Sequence, residues 1–160
     1  DSYQTLRGLR TLSVRYRQHE ENAAAVAEFL DRQRGVRKVY YPGLRSHNGH
    51  GLAKRQQQSF GAMISFEIDA KHEEIPVFLG SLRLFTLAES LGGVESLVAH
   101  PASMTHAARS EEDQAAAGIK STLLRLSIGI EHVDDLLADL AQGFEAVRRH
   151  RDAAKVRSVA

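Results

Sequence analysis

The chain has 160 residues, of which 42% are hydrophobic, 26% charged and 6% aromatic. That suits one domain with its own core and is too apolar for a disordered chain. With 21 basic and 20 acidic residues, a net charge of +1, it advertises neither nucleic acid nor an anionic membrane, and the absence of cysteine excludes a disulfide scaffold, a thiolate nucleophile and a cysteine-ligated metal. No apolar run of about 18 residues is present to cross a membrane as a helix.

Residues 1–34 carry an apolar stripe at Leu9, Leu12, Tyr16, Ala23, Val26 and Leu30, the spacing of one long helix. Asp1 is placed to cap it and Gly35 to end it, and Arg7, Arg10, Arg15 and Arg17 fall mostly on its solvated side. Residues 36–41 are β-branched and aromatic and stop at Pro42-Gly43, which predicts a short strand and a turn. A brief helix over 52–58 follows the loop 47–51. Residues 62–68 alternate with Ile64, Phe66 and Ile68 in phase, a half-buried strand. The segment 73–82 reads as a helix with Val77, Phe78 and Leu82 inward, and 84–87 and 96–99 as two strands around Gly92-Gly93.

Ser110, followed by Glu111, Glu112 and Asp113, is a capped helix start that Gly118 terminates. Residues 122–128 form a strand. Val133, Leu136, Leu137, Leu140, Phe144 and Val147 make the clearest amphipathic helix, and the basic tail from Arg148 onward reads as irregular. This order predicts an α/β sandwich: a small, mostly antiparallel sheet with helices packed on one side.

Ordinary catalytic motifs are missing. His47 and His50 have ligand-like spacing but no third ligand nearby. Ser90, His106 and Asp113 assemble into a triad only on paper, without a Gly-x-Ser-x-Gly elbow. Gly92-Gly93 lacks the Gly-Lys-Ser/Thr of a phosphate loop. Two places carry more. In 122–128, Leu124, Leu126 and Ile128 point one way and Leu123, Arg125 and Ser127 the other. Arg125 then needs an anion if that face is covered, and its planar fork suits a carboxylate, whereas an edge strand would let it face water. The second place is the 86–96 segment. Its paired glycines permit a sharp turn, Ser90 and nearby amides could donate to a carboxylate, and Glu89 could orient an ammonium; a plain hairpin turn explains the same residues.

The stretch Leu84-Phe85-Thr86-Leu87-Ala88-Glu89-Ser90-Leu91-Gly92-Gly93-Val94-Glu95-Ser96 resembles the signature of the Cys/Met-metabolism enzymes that depend on pyridoxal 5'-phosphate (PLP). So do His100-Pro101-Ala102-Ser103-Met104-Thr105-His106, Leu124-Arg125-Leu126-Ser127-Ile128-Gly129-Ile130-Glu131, Arg7-Gly8-Leu9-Arg10-Thr11-Leu12 and Tyr41-Pro42-Gly43-Leu44. The resemblance implies the C-terminal domain of a fold-type I PLP-dependent transferase, residues 1–160 forming one substrate-binding unit. Asp1-Ser2-Tyr3, Phe60-Gly61-Ala62-Met63-Ile64-Ser65-Phe66-Glu67 and Ala115-Ala116-Ala117-Gly118-Ile119 lean toward the bacterial cystathionine γ-synthase branch. There, cysteine displaces the acyl group, usually succinyl, of an O-acylhomoserine to give cystathionine in methionine biosynthesis. The cystathionine γ-lyases are the alternative, and a free-standing, non-catalytic binding or oligomerisation domain is a second one.

Carried over position by position, the resemblance implies that Ser90 and Arg125 hold the substrate α-carboxylate. Glu89, with Leu91 beside it, meets the distal part of the substrate or the incoming amino group. PLP would be the electron sink. The resemblance also implies a cytoplasmic homo-oligomer, a tetramer, with amino-acid substrates and neither nucleic acid nor membrane as a partner. The Schiff-base lysine and the phosphate-binding residues belong to an upstream domain in this family, so no catalytic, cofactor-binding or metal-binding residue is expected in this chain. Lys38, Lys54, Lys71, Lys120 and Lys155 all lack the Ser-x-x-Lys context. The chain begins at Asp1, with Met63 and Met104 its only methionines, so it reads as processed or as part of a longer polypeptide, inactive by itself.

Overall fold

The structure, a computed structural model, describes residues 1–159. Residue 160 of the basic tail and the side chains of residues 111 and 157–159 lie outside the described residues. Five strands form one sheet: β1 (Val36–Tyr40), β2 (Met63–Ile68), β3 (Thr86–Leu87), β4 (Leu97–Ala99) and β5 (Leu123–Ser127), in the order β1-β2-β5-β4-β3. The helices are α1 (Ser2–Leu9), α2 (Leu12–Arg32), α3 (His50–Gln56), α4 (Ile75–Ser81), α5 (Glu111–Ala116) and α6 (Val133–Val159), with a 3-10 turn at His72–Glu74.

Alternation decides which way the sheet faces. Ile64, Phe66 and Ile68 of β2 and Leu124, Leu126 and Ile128 of and just after β5 are all at most 1% exposed, and they join α2, α4 and α6 in one core. Phe66, Phe78 and Phe144 carry sheet, α4 and α6 into one aromatic cluster, with ring centroids 5.0 to 6.2 Å apart. Helices therefore cover one face of a mostly antiparallel sheet, as the sequence predicts.

Four expectations need correction. The amino-terminal helix is two helices, broken at Arg10 and Thr11, and its stripe is only half used. Ala23, Val26 and Leu30 are fully buried, while Leu9, Leu12 and Tyr16 are exposed, because the hydrophobic core takes residues of α2 only from Ala23 onward and none from α1. Asp1 makes no side-chain cap there. The segments around Gly92-Gly93 are not a hairpin: β3 and β4 pair in parallel, so the intervening chain must cross from one end of the pair to the other. Finally, the basic tail is helical, continuing α6 without interruption.

A clamp explains the last point. Arg151 donates from Nε and Nη2 to both carboxylate oxygens of buried Glu74, at 2.8 and 2.7 Å, and from Nη2 to the Asp69 carbonyl at 2.6 Å. Glu74 also accepts from Lys71 N at 2.8 Å. The hydrogen bond from Arg151, reinforced by Lys71 N and opposed by burial, lowers the Glu74 carboxyl from 4.5 to about 2.

Two predictions follow from this packing. Gly143 of α6 lies against Phe78; an added Cβ would sit 2.7 Å from Phe78 Cε2 and 3.1 Å from Leu82 Cδ2. Gly143→Ala is therefore expected to destabilise by about 1–3 kcal/mol in denaturant unfolding, although Ala in an open helix would gain up to about 1 kcal/mol. Because the folded value of Glu74 lies below its ordinary one, the clamp stabilises fully above pH 4.5 and is lost as pH falls toward 2. Arg151→Ala should lower the melting temperature at pH 7 and shorten α6 by circular dichroism, with the gap to wild type closing across that acid window.

Candidate active-site face

The face of the sheet turned away from the helices is assembled by register. Ser65 of β2 and Ala99 of β4 stand opposite Arg125, and Met63 and Leu97 opposite Ser127. Tyr40 stands opposite Ser65, and Lys38 opposite Glu67. Cross-strand partners share a face, so Arg125 sits near the middle of a polar surface that also bears Lys38, Tyr40, Ser65 and Glu67. β5 is the central strand, which removes the edge-strand explanation for Arg125.

Glu67 is 3% exposed and accepts from Lys120 Nζ at 2.8 Å and from the Tyr40 hydroxyl. Burial opposes its charge, but the Lys120 and Tyr40 donors hold its carboxyl below the ordinary range. In return, the hydrogen bond to Glu67, aided by burial, pushes the Tyr40 phenol up to about 12. This anion is satisfied by Lys120 and Tyr40, while Lys38 Nζ lies over the Tyr40 ring at 4.8 Å from its centroid, and Arg125 is the cation on this face that reaches the turn at 89–90.

The structure brings the four residues singled out in the sequence together. Arg125 Nη2 donates to the carbonyls of Glu89 and Ser90 at 2.7 and 3.2 Å. Among the described residues, Arg125 Nε is buried and has no hydrogen-bond partner. A buried unsatisfied donor costs about 1–3 kcal/mol, and more when charged. The side chains of Glu89, Ser90 and Leu91 are exposed beside it. Ser90 meets Arg125 through its carbonyl, and its hydroxyl has no partner among the described residues.

The turn is held from every side by residues the sequence reading did not rank. Ser127 Oγ accepts from Gly92 N at 2.9 Å. Ser96 Oγ accepts from Gly129 N at 2.8 Å and donates to Glu131 Oε2 at 2.9 Å, while Glu131 Oε1 accepts from Ser96 N at 2.6 Å. Ile130 N donates to the Val94 carbonyl at 2.9 Å. Gly129 must be glycine, because a Cβ would lie 2.4 Å from the Val94 carbonyl oxygen. From the helix side, buried Asn22 donates to the carbonyls of Gly129 and Glu131 at 3.0 and 2.8 Å, and a ring nitrogen of buried His19 meets the Ile128 carbonyl at 2.6 Å. The start of β3 is pinned by buried Asp139 of α6, which accepts from the amides of Arg83, Leu84 and Phe85 at 2.8 to 3.1 Å. His19 falls on the same helical stripe as Ala23, Val26 and Leu30, a signal that it is buried; Asp139 carries none, since an acid on an amphipathic helix looks solvated.

Other polar candidates are engaged elsewhere. Asp113 is paired with its cap, Ser110, and His106 with Thr105, so neither bonds to Ser90. His50 meets the Pro42 carbonyl and stacks on Phe60, and His47 accepts from Gly49 N. Lys38, Lys54, Lys71, Lys120 and Lys155 are all exposed. A lysine that forms a Schiff base needs a desolvating or cationic pocket to lower its pKa, so this chain's lysines do not fit covalent attachment of PLP.

Against this geometry the comparisons agree with one another. The sequence model of the Cys/Met metabolism PLP-dependent enzymes matches residues 1–145. The cystathionine gamma-synthase of Escherichia coli (strain K12) is 54% identical over 149 residues, 93% of this chain and 39% of its own length. The L-methionine gamma-lyase of Fusobacterium nucleatum subsp. polymorphum is 48% identical over 92% of this chain and 37% of its own length. The crystal structure of cystathionine gamma synthase from Xanthomonas oryzae pv. oryzae in complex with aminoacrylate and cysteine superposes with a TM-score of 0.89 at 59% identity, covering 93% of this chain and 38% of that one. The chain thus spans under two-fifths of the length of these relatives. With its family match running through both the Ser90 turn and the Arg125 strand, the chain belongs to the Cys/Met-metabolism PLP-dependent enzymes.

Proposed function

We propose that this chain is the part of a cystathionine γ-synthase-type enzyme that grips the α-carboxylate of the amino-acid substrate. The observation that carries the reading is the guanidinium of Arg125, held in a central strand with Nε buried and unpartnered beside the Ser90 turn. A carboxylate is the planar anion whose two oxygens match that fork. Ser90, whose hydroxyl has no partner among the described residues, is the second donor to that carboxylate, while Glu89 and Leu91 face the rest of the substrate and the incoming cysteine. The synthase reading draws on the identity to the Escherichia coli and Xanthomonas oryzae enzymes, the latter also solved in complex with cystathionine.

The same reading places the cofactor and its lysine in an upstream domain of a longer polypeptide, so that the 160-residue chain alone is inactive. When bound there, PLP would supply the electron sink for cleaving bonds at the substrate's α- and γ-carbons. This chain's part is to fix the carboxylate and thereby orient the reacting bonds. The exposed stripe of Leu6, Leu9, Leu12 and Tyr16, each 46 to 61% exposed, supports such a partner. Exposed apolar side chains gathered on α1 and the first turns of α2 suit a contact surface, either for that upstream domain or for other copies in a cytoplasmic homotetramer.

Two measurements test the proposal. The full-length protein should convert O-succinylhomoserine and cysteine to cystathionine faster than it cleaves cystathionine; the reverse preference would make it a γ-lyase, like the relatives of Dictyostelium discoideum and Bacillus subtilis at 47% identity. In that protein, Arg125→Ala should weaken substrate binding by about 2–4 kcal/mol, the scale of a truncated buried charge pair. Unchanged KM and kcat would sink the role given to Arg125.

A further inference from the structure

The turn that carries Ser90 is tied to β5 by two side chains, and the proposed grip uses only one of them. Arg125 holds the carbonyls of Glu89 and Ser90; Ser127, one pleat further on, holds the amide of Gly92 at 2.9 Å. Ser127 is 3% exposed, and the bond from Gly92 N is the hydrogen bond its hydroxyl makes. Gly92 needs the tie. It sits at φ +76°, and with Gly93 next to it the backbone has no side chain to restrict it. Beyond Gly93, the chain is anchored again through Val94 and Ser96 to Ile130, Gly129 and Glu131. The Ser127 bond is therefore what fixes the glycine pair between two otherwise well-held ends.

The consequence concerns affinity. With Gly92 held, residues 89–91 stand over Arg125 before any ligand arrives. Without it, the guanidinium alone would restrain the turn, and an incoming carboxylate would have to order the glycine pair as it bound. We infer that Ser127 is a positioning residue for the carboxylate grip, presetting the Ser90 turn over Arg125. This rests on the reading of Arg125 given above.

A role in ordering the ground-state site changes KM more than kcat, whereas mere loss of folded protein lowers the apparent kcat and leaves KM alone. In the full-length enzyme, Ser127→Ala is expected to raise KM for the amino-acid substrate about tenfold with kcat within about twofold, and to speed hydrogen exchange at the Gly92 amide. An unchanged KM in Ser127→Ala, alongside a raised one in Arg125→Lys, overturns the inference while the carboxylate reading stands. An unchanged KM in both variants overturns both. If Ser127→Ala folds poorly, exchange in the wild-type protein decides: a Gly92 amide as protected as those of β5 agrees with the inference, and one exchanging at open-loop rates overturns it.

Discussion

The interaction on which this structure turns is the pairing of alternate residues of β5 and of the segment just after it with one loop. From Arg125 through Ser127 and Gly129 to Glu131, each second residue contacts the segment from Glu89 to Ser96. The alternate residues Leu124, Leu126 and Ile128 are buried in the core, and the alternation ends at Ile130, which is exposed. A pleated strand puts alternate side chains on opposite faces, so a single run of sequence serves two surfaces at once. Sliding β5 by one residue would bury Arg125 among the phenylalanines and expose the leucines. The hydrophobic core thereby sets the register, and the register sets the position of the guanidinium.

Support for that device reaches well into the molecule. His19 and Asn22 of α2 hold the carbonyls of 128, 129 and 131, and Asp139 of α6 holds the amides that lead into β3. The two long helices that cover the sheet also brace both halves of the turn from behind. Buried polar side chains of this kind cost desolvation unless each finds a partner, and here backbone groups without a partner in the sheet ladder supply one. Such a frame suits a site that must hold a small anion in one orientation.

Much of this was legible from periodicity alone. The alternation of Ile64, Phe66 and Ile68, the helical spacing of Leu136, Leu140, Phe144 and Val147, and the Ser110 cap all predict elements that the structure contains. These are local signals, in which a residue's neighbours in sequence are also its neighbours in the element. The misreadings share a cause. The exposure of Leu9, Leu12 and Tyr16, the helical tail held by Arg151 and Glu74, and the parallel pairing of β3 with β4 depend on residues far apart in the chain. A basic tail looks irregular until a buried acid 77 positions away is seen to clamp it.

By itself, the sequence determined the composition of the core, the order of the elements and the motifs that ally the chain with its family. It also marked Arg125 as an arginine in an apolar strand and Glu89, Ser90 and Leu91 as a candidate turn. That the guanidinium and the turn touch, that β5 lies at the sheet's centre, and that Ser127, Ser96, Glu131, His19, Asn22 and Asp139 hold them together were decided only by the tertiary structure. The physical reason is that hydrophobic periodicity specifies which face of an element is buried, while the partner of a buried polar group is specified only when the folded chain brings a complementary donor or acceptor within about 3 Å.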